Sequence, residues 1–344
     1  MYEANATTLA TALSGSNPTV FTSSTLAEII SLSTGDGSTA QIEQAQVSQS
    51  GAVTVPAGTE VAFISDTIHT TITPPANVPV VVFQGTFGVH AVFNDGGTGP
   101  SGAFGVPVRM VVASGGNDNL VGGDSKNTMY VLGAGDSTVV SGSGHDTIVA
   151  GTGNSTISSG GGFDVVEING KASDYTVTVQ HGHALVHDNV SGENLDITNI
   201  QYVQVDGGGA LIFAKNAQEA GIATLYETTF GRTAEAGGLQ YWFDQAAHGA
   251  SLSDVAKGFA NSAEFQHNVG SLTDAQFVAN LYQNTFGRAA DDGGAAYWTQ
   301  VLHNGATRAQ LIEAFSNIAG QNLSGDAHTE VHIVGHVTVI PNII

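Results

Sequence analysis

The sequence predicts a multidomain, mainly β chain that carries a duplicated α-helical domain and ends in a further strand. Three observations predict it. Apolar residues alternate with period two from Val53 onward, glycine returns on a nine-residue beat between Arg109 and Ile168, and after Lys215 the periodicity turns helical while a whole segment recurs at an offset of 56. Period two sends successive side chains to opposite faces of a strand, whereas apolar residues three and four apart build one face of a helix. The expected segments are an N-terminal β-rich domain over 1–108, the glycine-repeat region over 109–168, a β-hairpin or meander over 169–213, the duplicated helical domain over 214–322 and a C-terminal strand or tail over 323–344.

A chain of 344 residues has room for two or three cores at ~100 to 200 residues each. With 8 basic and 30 acidic residues its net charge is −22, which excludes nucleic acid and anionic membrane surfaces as expected partners and favours cations. There is no cysteine, so disulfides, thiolate metal sites and a cysteine nucleophile are excluded. No apolar run is long enough to cross a bilayer, and the opening MYEANATTLATALSGSNP has neither a basic start nor a continuous apolar stretch. The expectation is a chain with no membrane insertion, exported without an N-terminal signal peptide.

Residues 1–48 are small and polar, and Thr25 with Glu28 ahead of Ile29 and Ile30 forms a capping-box pattern that predicts a short helix. The pairs Val53 and Val55, Val61 and Phe63, Val80 and Val82, and Phe87 and Val89 predict strands, with Pro56, Pro74, Pro75 and Pro79 between them as breaks. Within the glycine beat the apolar residues closing each unit are Leu120, Met129, Val139, Ile148, Ile157 and Val166, at intervals of nine with one of ten. Two places before each stand Asp118, Asn127, Ser137, Asp146, Ser155 and Asp164. Glycine suits such a turn by tolerating positive φ, and aspartate there offers a hard oxygen ligand. Residues 174–179 and 184–189 read as a hairpin joined through His181, Gly182 and His183, with further strand pairing over 195–205 and 210–213. His181, His183 and His187 alternate along strands and do not converge as a tetrahedral metal site requires.

In the helical region LYETTFGRTAEAGGLQYW (225–242) recurs as LYQNTFGRAADDGGAAYW (281–298). Tyr226, Phe230, Tyr241 and Trp242, with Tyr282, Phe286, Tyr297 and Trp298, read as core at helical spacing; the alternative is a sugar-binding or partner surface. Thr273 with Gln276 and Thr307 with Gln310 mark helix starts. In the tail, Val331, Ile333, Val337 and Val339 share one strand face and Ile340 lies on the other, so both faces are apolar and the strand is expected to insert into a sheet, its own or that of the next copy.

The glycine beat resembles the RTX nonapeptide G-G-x-G-x-D-x-U-x, whose units stack as a parallel β-roll with calcium held between loops. In such a roll each unit is half a turn, so units two apart share a side. The resemblance therefore implies one Ca²⁺ site between Gly142, Gly144 and Asp146 and Gly160, Gly162 and Asp164, with Asn127 on the same side. Asp118 is a further ligand candidate on the other side, where Ser137 and Ser155 close the turns by hydrogen bonds. A calcium-free coil, in which the aspartates only accept turn hydrogen bonds, is the alternative. Residues 173–208 resemble the β-rich segment that follows RTX repeats in secreted bacterial proteins. The doubled helical unit resembles a domain of unknown biochemical role found in S-layer, hemolysin-type and other large extracellular proteins.

These resemblances imply export by a type I secretion system and a non-enzymatic, calcium-binding structural protein that assembles with itself into an extracellular layer, filament or matrix. A surface glycan is a further possible partner. H-E-x-x-H and G-x-S-x-G are both absent from the sequence, and the competing reading is a polysaccharide-active enzyme or a glycan-binding adhesin.

Overall fold

A computed structural model describes residues 2–16, 20–33, 39–65, 71–94, 106–123, 125–180, 183–322, 332–334 and 337–341. The chain divides into two compact units, one of Met1–Ile168 with Ser173–Val177 and His183–Ile200, the other of Asn169–Ala172, Thr178–Gly182 and Gln201–Ile344. Among the described residues 35% are helical and 28% lie in strands, so the architecture is mixed α/β with parallel-strand sheets and not mainly β. Helices over residues 6–33, where the sequence suggested one short helix, contribute to the difference.

In the first unit, strands alternate between two sheets, and each pairs in parallel with the next strand of its own sheet. The first sheet runs through Ala40–Gln44, Val61–Ser65, Val80–Gln84, Arg109–Val112, Thr128–Val131, Thr147–Val149 and Val165–Ile168. The second runs through Thr71–Ile72, His90–Phe93, Asn119–Gly122, Thr138–Val140, Ser155–Ser158 and Asn194–Thr198. Both sheets cross residue 109, where the sequence suggested a domain boundary. Asn194–Thr198, from the expected meander, adds a parallel strand to the second sheet and pairs antiparallel with His183–Asp188.

Stacking fixes the register. Leu120 pairs with Val139 and Val139 with Ile157, and these three side chains, with Ile148 and Val166, are fully buried. Met129 departs from the expected column. Its neighbour Tyr130 pairs with Ile148 and is fully buried, whereas Met129 is half-buried and packs against the cluster that includes Val80 and Met110. A one-residue shift exchanges the two faces of a strand, so the longer interval lies between Leu120 and Tyr130.

Two helices, α1 (Ala6–Ser16) and α2 (Ser23–Ser33), exist because their apolar residues cover a sheet. Leu9, Leu13, Phe21 and Ile29 join Ile42, Val61, Val80, Val82, Met110 and Val112 in one buried cluster. Val80–Phe83 is buried at every position, as expected for a parallel strand covered on both faces. α2 begins earlier than the capping-box pattern predicted: the Thr25 amide donates to Thr22 Oγ1 at 3.3 Å and the Leu26 amide to the Thr22 carbonyl at 2.9 Å. Thr22 caps the helix, and Thr25 lies in its first turn.

The second unit holds α3 (Ala217–Phe230), α4 (Ala236–Ala247), α5 (Leu252–Asn261), α6 (Ala263–Asn268), α7 (Asp274–Phe286), α8 (Asp292–His303) and α9 (Arg308–Asn322). Thr273 and Gln276 form the reciprocal capping box at the start of α7, and α3 and α7 both close on a left-handed glycine, Gly231 at φ 66° and Gly287 at φ 63°. Tyr202–Val205 pairs antiparallel with Ala210–Ala214, which pairs in parallel with Val337–Pro341.

Candidate functional site

The turn positions of the stacked strands carry the candidate site. With Tyr130 in the apolar column, the residue two places earlier is Thr128, and Asn127 stands one place upstream of its expected position. The side-chain acceptors then fall into two sets on each edge of the stack. On the edge that holds Asp146 and Asp164, the Thr128 amide donates to Asp146 Oδ1 and the Asp146 amide to Asp164 Oδ1, each at 2.8 Å. On the other edge, the Val89 amide donates to Asp118 Oδ1 at 2.8 Å, the Asp118 amide to Ser137 Oγ at 3.3 Å and the Ser137 amide to Ser155 Oγ at 3.4 Å. Every donor reaches forward to the next turn, and all five acceptor side chains are buried.

A second ladder, one residue upstream, runs the opposite way. The His145 amide donates to Asn127 Oδ1 at 3.0 Å and the Phe163 amide to His145 Nδ1 at 2.8 Å. On the other edge the amides of Asp136, Asn154 and Asn194 donate to Asn117, Asp136 and Asn154 in turn, at 2.8–2.9 Å. Asn127 therefore belongs to this upstream ladder and not to the column of Asp146 and Asp164.

The ladders account for the lapse of aspartate to serine. The position needs a buried acceptor for the amide of the preceding turn, and hydroxyl and carboxylate both serve. Asp118 is the most heavily bonded of the set, since it also accepts from the Ser114 amide at 2.9 Å and the Ser114 hydroxyl at 2.7 Å. Burial nevertheless pushes its carboxyl above the usual carboxylate value, against the opposing effect of the Ser114 and Val89 hydrogen bonds.

Glycine is strict for a reason other than the expected left-handed turn. Among the described glycines of the beat, positive φ is confined to Gly162. A Cβ on Gly151 would stand 1.7 Å from the Gly133 carbonyl oxygen of the adjacent turn, where the turns stack at about the 4.8 Å of neighbouring strands. Close backbone approach excludes any side chain.

As a calcium site, the column of Asp146 and Asp164 has the right donor chemistry, carboxylate oxygen. Its geometry is engaged otherwise, because Oδ1 of each acid already accepts a backbone amide. Among the described residues, no three His, Cys, Asp or Glu side chains converge. His183 bonds Asp196 at 3.2 Å and His187 bonds Asn194 at 3.0 Å; His181 lies outside the described residues.

In the helical unit, the repeated motif builds the same cluster twice. Tyr226 and Phe230 meet Phe259 at 4.7 and 5.7 Å between ring centres, and Trp242 meets it at 5.7 Å. Tyr282, Phe286 and Trp298 meet Phe315 at 5.2, 5.8 and 5.2 Å. Gly238 and Gly294 are glycine because a Cβ on either would lie 2.3 Å from the hydroxyl of Tyr226 or Tyr282. Tyr241 and Tyr297, at 53% and 61% exposed, stand outside these cores.

Of the tail residues, Val331 lies outside the described residues. Ile333 is in the strand His332–Val334, and Val337, Val339 and Ile340 are in Val337–Pro341, in register with Ala210, Ile212 and Phe213 of the same chain. The tail strand thus occupies a sheet of its own chain.

Residues 213–269 and 256–319 each match the family described as a domain of unknown function, DUF4214, so that the two matches cover the duplicated motif. No curated protein matches the chain. No solved structure matches it either. Among the described residues, no helix is long and apolar enough to cross a membrane.

Proposed function

We propose that the chain is a non-enzymatic structural protein of the extracellular space, exported by a type I system, whose stacked turns form an RTX-like roll responsive to Ca²⁺. The observation that carries this reading is the pair of amide ladders: the buried acids, amides and hydroxyls of the turns are spent on holding one turn to the next. A stack of turns held this way is suited to bearing load and presenting surfaces. Ca²⁺ taken up between the turns would draw on the carboxylates of Asp146 and Asp164 and on the backbone carbonyls of Gly142, Gly144, Gly160 and Gly162, in exchange for the hydrogen bonds that the acids now accept. Assembly into a layer or filament proceeds by exchange of the tail strand between copies, the edge pairing now satisfied within one chain being offered to the next.

The chain supplies its own control, because serine already replaces aspartate at Ser137 and Ser155. In the full chain, ~1 mM Ca²⁺, the range of extracellular modules, is expected to raise Tm. The double variant Asp146→Ser, Asp164→Ser is expected to keep the fold and lose that rise. An equal rise in both proteins refutes the site, and absence of layers or filaments by electron microscopy at any calcium concentration refutes the assembly.

The exposure of Tyr241 and Tyr297 at equivalent positions of the two helical copies favours a second reading, a glycan-binding adhesin, since exposed rings stack on sugars. Glycan-array binding that is lost in Tyr241→Ala, Tyr297→Ala, without assembly, would put that reading first.

A further inference from the structure

The chain has four arginines, Arg109, Arg232, Arg288 and Arg308, and the duplicated motif allows two of them to be compared directly. Arg232 and Arg288 hold the same place in the two copies. Arg232 lies 5.0 Å over the Tyr226 ring and 5.6 Å over Phe230; Arg288 lies 5.4 Å over Tyr282 and 5.8 Å over Phe286. Both donate through Nη1 to the next backbone carbonyl, that of Thr233 at 3.1 Å or Ala289 at 3.2 Å. The aromatic faces and the carbonyl fix each guanidinium plane.

What meets the other edge differs. Glu264 receives Arg232 in a fork, Nε to Oε1 at 2.8 Å and Nη2 to Oε2 at 2.9 Å, and Glu235 adds a bond from Nη1 at 2.7 Å. The hydrogen bonds to Glu264 hold the Arg232 guanidinium above its usual pKa. In the second copy the position 56 residues beyond Glu264 is Gly320, and α9 continues to Asn322, whereas α5 stops at Asn261 and α6 starts the segment that carries Glu264. Among the described residues, Arg288 Nε and Nη2 donate no hydrogen bond; the nearest carboxylate, that of Asp291, is 3.9 Å from Nη1, and the side chain is 58% exposed.

The geometry points to Arg288, backed by Tyr282 and Phe286, as a binding site for an external carboxylate, held by the same two-pronged contact that Glu264 makes with Arg232. The first copy displays the bound state with an internal ligand, and the second presents the same receptor open to solvent. A planar guanidinium already oriented on rings loses little freedom on binding, and the paired N–H bonds match a carboxylate better than they match a spherical anion. The site is independent of calcium and of the turn ladders.

With only four arginines, the Nε–H resonances of the full chain can be followed individually by NMR. Titration with sodium acetate or sodium glucuronate, against sodium chloride at equal ionic strength, is expected to move the Arg288 Nε–H signal saturably with either carboxylate and not with chloride, while Arg232 stays still. Tighter binding of glucuronate than of acetate assigns the ligand to carboxylated sugars, and equal binding assigns it to carboxylates in general. Arg288→Lys, which keeps the charge and loses the fork, should weaken carboxylate binding at least tenfold. Glu264→Ala should open the first copy and make Arg232 respond as Arg288 does. A linear or chloride-matched response of Arg288, or a silent Arg232 in Glu264→Ala, overturns the proposal.

Discussion

The backbone amide of Asp146 donates to Oδ1 of Asp164, 18 residues further along the chain, at 2.8 Å. The bond joins two turns and is buried, so its loss leaves an amide without an acceptor, a cost of about 1–3 kcal/mol. Asp164→Ala should therefore destabilise the first unit by about that amount in urea denaturation. Asp164→Ser, which copies Ser137 and Ser155, should cost less than half as much. Equal losses in the two variants would show that the ladder contributes nothing beyond packing.

The glycine positions separate into those that require glycine and those that do not. Gly151→Ala places a Cβ 1.7 Å from the Gly133 oxygen; backbone cannot rotate away as a side chain does, and a penalty of roughly 3 kcal/mol or more is expected. Gly161→Ala meets nothing nearer than the Ser143 Cβ at 3.9 Å and should be neutral within ~0.5 kcal/mol. Melting curves of the two variants give the comparison directly.

In the second unit, Gly238 and Tyr226 form a pair that a double-mutant cycle resolves. A Cβ on Gly238 lies 2.3 Å from the Tyr226 hydroxyl and 3.1 Å from the ring carbon that bears it. Gly238→Ala should destabilise, and Tyr226→Phe, by removing the nearer atom, should relieve part of the penalty. A coupling of about 0.5–3 kcal/mol is expected. The same cycle at Gly294 and Tyr282 should return the same sign.

These tests mark how far the sequence could be read. The nine-residue spacing of Leu120, Val139 and Ile157 exposed the stacking column, because a buried apolar residue repeats wherever one unit lies over another. The shift at Tyr130 was not legible: Met129 and Tyr130 are both apolar, and only pairing with Ile148 decides which faces inward. That one-residue ambiguity moved Asn127 into the wrong column. The continuation of both sheets upstream of Arg109 was hidden for a related reason, since Val80 pairs with Met110 at an offset of 30, and no regular beat spans such a gap. α1 was obscured because its covering residues are few and its remaining positions are small and polar, whereas α2 was legible in the pattern of Thr25 and Glu28, with its start placed too late. The fork between Arg232 and Glu264 joins residues 32 apart, beyond any local pattern, although the 56-residue offset was enough to pair Arg232 with Arg288.

Asp118 and Asp254 bend the pH dependence of the two units in opposite directions. Asp118 is raised above 3.8 by burial, so its folded state favours the neutral acid: its contribution to stability is full below the unfolded value and is lost as pH rises through the raised folded value. Asp254 is lowered from 3.8 to about 2, chiefly by hydrogen bonds from the Ser251 hydroxyl and amide in the capping box of α5. Its contribution is present above the unfolded value and is lost as pH falls from 3.8 towards about 2. Both tryptophans, Trp242 and Trp298, belong to the helical unit, so their fluorescence follows that unit alone. Melts recorded by tryptophan fluorescence between pH 6 and pH 2 should show Tm falling across the Asp254 window in the wild-type chain and falling less in Asp254→Asn, which cannot titrate. Asp118→Asn should leave that curve unchanged and remove a pH-dependent loss that only a probe of the parallel sheets, such as amide hydrogen exchange at Val89 and Ser114, detects. If the tryptophan melts of wild type and Asp254→Asn are parallel across that window, the capping-box carboxylate is not ionised preferentially in the folded helix.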